Sequence, residues 1–144
     1  MRLEAGNRCP ADDRGVVGVL TDGPDADRSL VPAETPDAGL LCSYAGLNGK
    51  RFGLLLQRVL SAEDAAHVAD VARRVELGHL NCGRSNSPAD DGSVTVLMLK
   101  YPHHAAANLW LEARGCVSAS NGHIRAPGGA TLAALIEVVN QLKR

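Results

Sequence analysis

Aromatic side chains are scarce in this sequence: Phe52, Tyr44, Tyr101 and Trp110 make up 3% of its 144 residues. Four rings are too few for a platform on which bases or sugars stack. Charge of one sign is lacking as well, because fifteen basic residues stand against sixteen acidic ones for a formal charge of -1. Such a balance gives no electrostatic footprint for a phosphate backbone, and a dedicated nucleic-acid binder is disfavoured. The longest apolar stretches, Leu54 to Leu56 and Val94 to Leu99, fall far short of the ~20 residues that a membrane-spanning helix needs. No C-x-x-C occurs, which removes redox-motif and zinc-finger spacings. Met1 to Arg8 is polar with no apolar run after it, so no signal peptide is read at the start of the chain.

What remains is globular in composition. Hydrophobic residues are 45% and charged residues 22% of the chain, values that set aside disordered, collagen-like and coiled-coil classes. The length fits one ordinary domain over residues 1–144. Its texture is uneven. Residues 1–39 hold eight acids and four bases, and residues 40–144 hold eight acids and eleven bases. Pro24, Pro32 and Pro36 lie among the acids of residues 21–39, which is loop composition. Only Gly15 to Leu20 reads as a strand there, so residues 1–39 form a loop-rich segment that depends on the α+β core of residues 40–144 for its order.

From residue 40 the pattern is periodic. Leu40 to Leu47 reads as a strand, Asn48-Gly49 as a hairpin turn, and Lys50 to Leu60 as a broadly apolar return strand that belongs in the middle of a sheet. Ser61-Ala62-Glu63-Asp64 approximates a capping box. Val68, Val71, Ala72 and Val75 then follow at helical spacing, with Arg73 and Arg74 facing out and Gly78 as the stop. Ser93 to Tyr101 and Ala107 to Arg114 are two strands around Pro102-His103-His104 that should pair antiparallel. Val117 to Ser120 and His123 to Ala126 flank Asn121-Gly122 as a second two-residue hairpin. Thr131 reads as the cap of a last helix with Leu132, Leu135, Ile136, Val139 and Leu142 along one stripe, and Lys143 and Arg144 at its negative end. The expected fold is an α+β two-layer sandwich: a mainly antiparallel sheet with two helices on one face.

Few residues combine into recognisable chemistry. Gly46-Leu47-Asn48-Gly49-Lys50 has the outline of a phosphate-cradling loop, but strands flank it and the spacing is wrong for a P-loop, which favours a simple hairpin. His79, Cys82, Cys116 and His123 are the best metal candidate, two nitrogens and two thiolates for tetrahedral zinc. No rigid spacing argues for their convergence, and no metal or cofactor is assigned. His103 and His104 occupy a hairpin tip, where adjacent side chains point apart. Asp12-Asp13 and Asp90-Asp91 precede glycines as turn formers rather than as a spaced calcium array. No G-x-S-x-G occurs, and Cys116 with His123 lacks a third, orienting group. Glu112 is the one acid expected inside a strand, as an outward member of its alternation.

Cys9, Cys42, Cys82 and Cys116 are separated by 33, 40 and 34 residues. Two disulfides in an exported domain fit this even spread, four buried thiols in a cytosolic protein are the alternative, and spacing does not choose a pairing. Cys9-Pro10, Leu30-Val31-Pro32, the run from Leu41-Cys42-Ser43-Tyr44 to Leu47, Asp91-Gly92, Tyr101-Pro102, Gly115-Cys116 and Ser120-Asn121-Gly122 together resemble an uncharacterised family. Its members are small extracytoplasmic or lipoprotein-type domains of high-GC actinobacteria. The chain departs from it in having Gly83 where proline is more usual after Cys82, and in the missing signal segment. The resemblance implies the pairings Cys9 with Cys42 and Cys82 with Cys116, and no known activity. The function expected is therefore a secreted or cell-surface, non-enzymatic binding or interaction domain for an unknown protein or small-molecule ligand. Two alternatives stand beside it: a small metal-dependent or hydrolytic enzyme using His79, His123 and nearby carboxylates, and a subunit of a larger assembly. Cytoplasmic location is the alternative compartment, and the oligomeric state is open.

Overall fold

The computed structural model describes residues 9, 27–44, 53–78, 94–112 and 117–144. Six strands and two helices occur among them: β1 (Ala38–Tyr44), β2 (Leu54–Leu60), α1 (Ala62–Arg73), β3 (Val94–Lys100), β4 (Ala107–Glu112), β5 (Ser118–Ser120), β6 (Arg125–Pro127) and α2 (Ala130–Leu142). The strands form one open sheet in the order β2-β1-β3-β4-β5-β6, antiparallel at every step. The α+β class and the antiparallel sheet expected from the sequence are both present.

Alternation along the strands sorts their side chains onto two faces. Leu41, Leu97, Leu99, Leu109, Leu111, Ala119 and Ala126 share one buried cluster with Ala65, Val68, Ala69 and Ala72 of α1 and with Leu132, Leu135 and Val139 of α2. The small residues of α1 let its backbone approach the sheet closely. Gly39 does the same within the sheet, since a Cβ there would lie 3.1 Å from Leu60 Cδ1 and 3.3 Å from Leu99 Cδ2. The opposite face carries a second buried cluster of Leu40, Cys42, Tyr44, Val94, Val96 and Met98, with Leu54, Trp110 and Cys9 against it. A disulfide joins Cys9 to Cys42, so the N-terminal segment is tied to the middle of β1. The 33-residue separation makes that link worth about 3–4 kcal/mol by loop closure.

Several boundaries differ from expectation for local physical reasons. Ser61 caps α1 as expected, its Oγ accepting from the Asp64 amide at 3.1 Å. The helix ends at Arg73 rather than running to Gly78, because Val75 turns into the core and the amides beyond it find partners outside the helix. The Glu76 amide donates to Thr131 Oγ1 at 3.0 Å, and the Gly78 amide donates to the Arg125 carbonyl at 3.3 Å. Thr131 is therefore not the cap of α2. That place belongs to Gly129, which makes no side-chain capping bond. The β5–β6 turn is closed by the Asn121 amide on the Ile124 carbonyl, with Gly122 at φ 92°. Its tip is thus Gly122-His123, one residue later than read, where glycine tolerates the positive φ. The largest difference is β2, expected in the middle of the sheet and found at its edge. Three consecutive leucines read as a doubly buried strand, yet Leu55 is 69% exposed and Val59 60% exposed. The strand reading of Gly15 to Leu20 and the Asn48-Gly49 turn lie outside the described residues.

Candidate functional site

Residues 29–37 run as an irregular strap from the β5–β6 turn to the start of β1, and four contacts hold it. Leu30 and Val31 are buried in the helix-side core. The buried Asn121 side chain donates from Nδ2 to the Ser29 carbonyl at 3.1 Å, while its Oδ1 accepts from the His123 and Ile124 amides at 2.9 and 3.0 Å. Arg73 Nη1 reaches the Pro32 and Glu34 carbonyls at 3.2 and 3.3 Å. The Asp37 amide closes the strap on the Lys100 carbonyl at 3.0 Å. The sequence pattern placed Arg73 facing solvent; instead its Nη1 donates to two carbonyls about forty residues away in sequence.

The strap brings Glu34 to the connection between β3 and β4. Its Oε1 accepts from the His103 amide at 2.9 Å and its Oε2 lies 2.8 Å from His103 Nδ1. His104 Nδ1 is 3.4 Å from Oε1. The two rings expected to point apart thus converge on one carboxylate. Burial works to raise the Glu34 pKa, but the bonds from the His103 amide and the two rings, with attraction to His103, outweigh it and hold the group below its ordinary value. An ionised carboxylate only accepts hydrogen bonds, so His103 Nδ1 is the donor in this pair. The Glu34 carboxylate is 18% exposed and the His103 ring 82% exposed.

Tyr101 sits behind this pair, where the following proline holds it in an extended conformation. Its ring meets His104 edge-on, with centroids 6.3 Å apart at 78°. Tyr101 Oη is buried and has no hydrogen-bond partner among the described residues. Burial pushes this phenol well above its ordinary pKa, Arg73 works the other way, and Glu34 adds to the rise.

A carboxylate that orients an imidazole is the base half of many hydrolytic sites. Among the described residues no serine, threonine or cysteine is bonded to either ring to serve as nucleophile. Likewise, no group of three or more His, Cys, Asp or Glu is placed there to hold a metal ion. His79, Cys82 and Cys116 lie outside the described residues, as do Asp12-Asp13 and Asp90-Asp91. His123 stands exposed at the β5–β6 turn tip. Glu112 ends β4, half-buried.

Sequence reasoning passed over Glu34 because its partner lies 69 residues away and its surroundings read as an acidic loop. The cue that existed was local: a proline followed by two histidines fixes a tight connection, whose exposed amides and rings favour an acceptor. No described helix is long and apolar enough to cross a membrane. No protein-family model, no curated protein and no solved structure matches the chain.

Proposed function

We propose that the chain is an exported, disulfide-stapled domain that acts through binding and interaction rather than catalysis, in the manner of the small extracytoplasmic domains that its sequence resembles. The Cys9–Cys42 disulfide carries this reading. Bonds of this kind persist in oxidising compartments, where a small domain uses them in place of extra core. The best cluster of titratable side chains agrees with it: Glu34 with the His103 amide and Nδ1, and Arg73 Nη1, hold the 29–37 strap. Peptide mapping without reductant, on protein recovered from an oxidising compartment, tests the proposal. A linked pair of peptides containing Cys9 and Cys42 is expected, and free thiols at both positions would remove the reading.

A further inference from the structure

Among the described residues the two edges of the sheet are finished differently. At one edge β6 is three residues long and ends on Pro127, which has no amide hydrogen to offer. Its Arg125 carbonyl is already taken by the Gly78 amide at 3.3 Å. At the other edge β2 runs seven residues, Leu54–Leu60, with no proline, no lysine and no acid among them. Proteins blunt long edge strands with such residues or cover them, because an open edge is a template for pairing. β2 carries one charge, Arg58, and a register shift at Leu55, yet it still presents Leu55 and Val59 at 69% and 60% exposure. The exposed Leu55 is where the β1–β2 register shifts: Ser43 faces Leu56 and Tyr44 faces Leu54, leaving Leu55 without a partner on β1.

We propose that β2 is a self-association edge, and that its occupant is β2 of a second copy of this chain, running antiparallel about a two-fold axis at Gln57. The spacing selects this occupant. Gln57 is the midpoint of Leu54–Leu60, so a two-fold through it brings Leu55 of each copy toward Val59 of the other. Both exposed apolar side chains find an apolar partner, and two-fold symmetry makes that match twice. Charge selects the same register. Arg58 is the one charged residue of β2, and an axis at Gln57 places it opposite Leu56, whereas an axis at Arg58 would set two guanidinium groups face to face. The Arg58 guanidinium now bonds the Gln57 carbonyl of its own strand at 3.3 Å, an exposed contact that a strand neighbour can replace. The finished β6 edge stops growth at two copies, joining the two sheets of described strands edge to edge in place of an open filament.

A single seven-residue strand pair buries less than the ~1,200 Å² of stable complexes, which makes this a weak dimer. The inference concerns the folded chain alone and does not depend on export or on any ligand.

Sedimentation equilibrium of the whole chain from about ten micromolar to a millimolar tests it, with circular dichroism to verify the fold of each variant. Wild type is expected to dimerise in this range, and Val59→Lys or Leu55→Glu, both at exposed positions, to weaken it at least tenfold. Mixing the two variants is expected to restore dimer, because one Leu55–Val59 pair survives and the substituted pair brings opposite charges together. Three results would overturn the proposal: wild type monomeric throughout, a dimer indifferent to both substitutions, or a mixture no more associated than its parts. A partner protein that binds this edge while the chain itself stays monomeric belongs to the first of these.

Discussion

Val96 and Leu97 are neighbours on β3 and point to opposite faces of the same sheet, and what each meets there differs in kind. Leu97 enters a cluster built from the small side chains of α1 and the leucines of α2. Both helices bring amphipathic stripes, so this face is held by many interchangeable contacts, each worth little on its own. Val96 enters a cluster in which the described contribution from beyond the sheet is Cys9, bonded covalently to Cys42. The Cys9 amide adds a 2.6 Å bond to Gln57 Oε1 on the neighbouring strand. One face is secured by side-chain volume, the other by a covalent link. A core of the first kind tolerates conservative exchange, and one of the second kind depends on the redox state of its surroundings.

The sharpest way to break this comparison is to remove the link. Cys9→Ala together with Cys42→Ala is expected to cost about 4 kcal/mol, from the loop-closure argument for a 33-residue separation, measured by urea unfolding. A loss under about 1 kcal/mol would show that side-chain packing holds both faces. On the helix face the matching change is Leu97→Ala, at a fully buried position. It is expected to cost about 3 kcal/mol in the same assay, in reduced and oxidised protein alike. A cost that vanished on reduction would mean that the two faces are coupled.

The smallest expected effect concerns pH. The Glu34 pKa is lower in the folded chain than its ordinary value of 4.5. Its contribution to stability is therefore complete above pH 4.5 and is lost as pH falls from there through the folded value. Glu34→Gln should leave acid unfolding less steep below pH 4.5, with little change at pH 6 to 8. An unchanged acid limb would mean that the strap is held by Arg73 and Asn121 without help from the Glu34–His103 pair.

Legibility followed the range of the physics involved. Ser61 was readable as a cap because its partner amide is three residues away. The β3–β4 hairpin was readable because two apolar runs flank the turn at Pro102-His103-His104. Arg73 was misread as a solvent-facing charge, because the carbonyls that it clamps lie 39 and 41 residues away in a segment without regular structure. Thr131 was misread for a related reason: a hydroxyl near a helix start is a cap by local rules, yet here it serves the Glu76 amide, 55 residues away. Glu34 itself left no local trace; the cue lay at the Pro102-His103-His104 connection. The convergence of His103 and His104 on it required knowing where the strap crosses the sheet.

The amino-acid pattern by itself determined the elements: apolar runs between turn residues marked the strands, the 3.6-residue stripe set the buried sides of α1 and α2, and the succession of strands and helices set an α+β class. These are properties of residues close together in the chain. Strand order was not among them. Whether Leu54-Leu55-Leu56 lies inside a sheet or at its rim depends on which strand pairs with β1 on its other side, and β3 takes that place. Only that long-range pairing turned an apolar strand into an exposed edge, and only the crossing of the strap turned an acidic loop residue into the partner of two histidines.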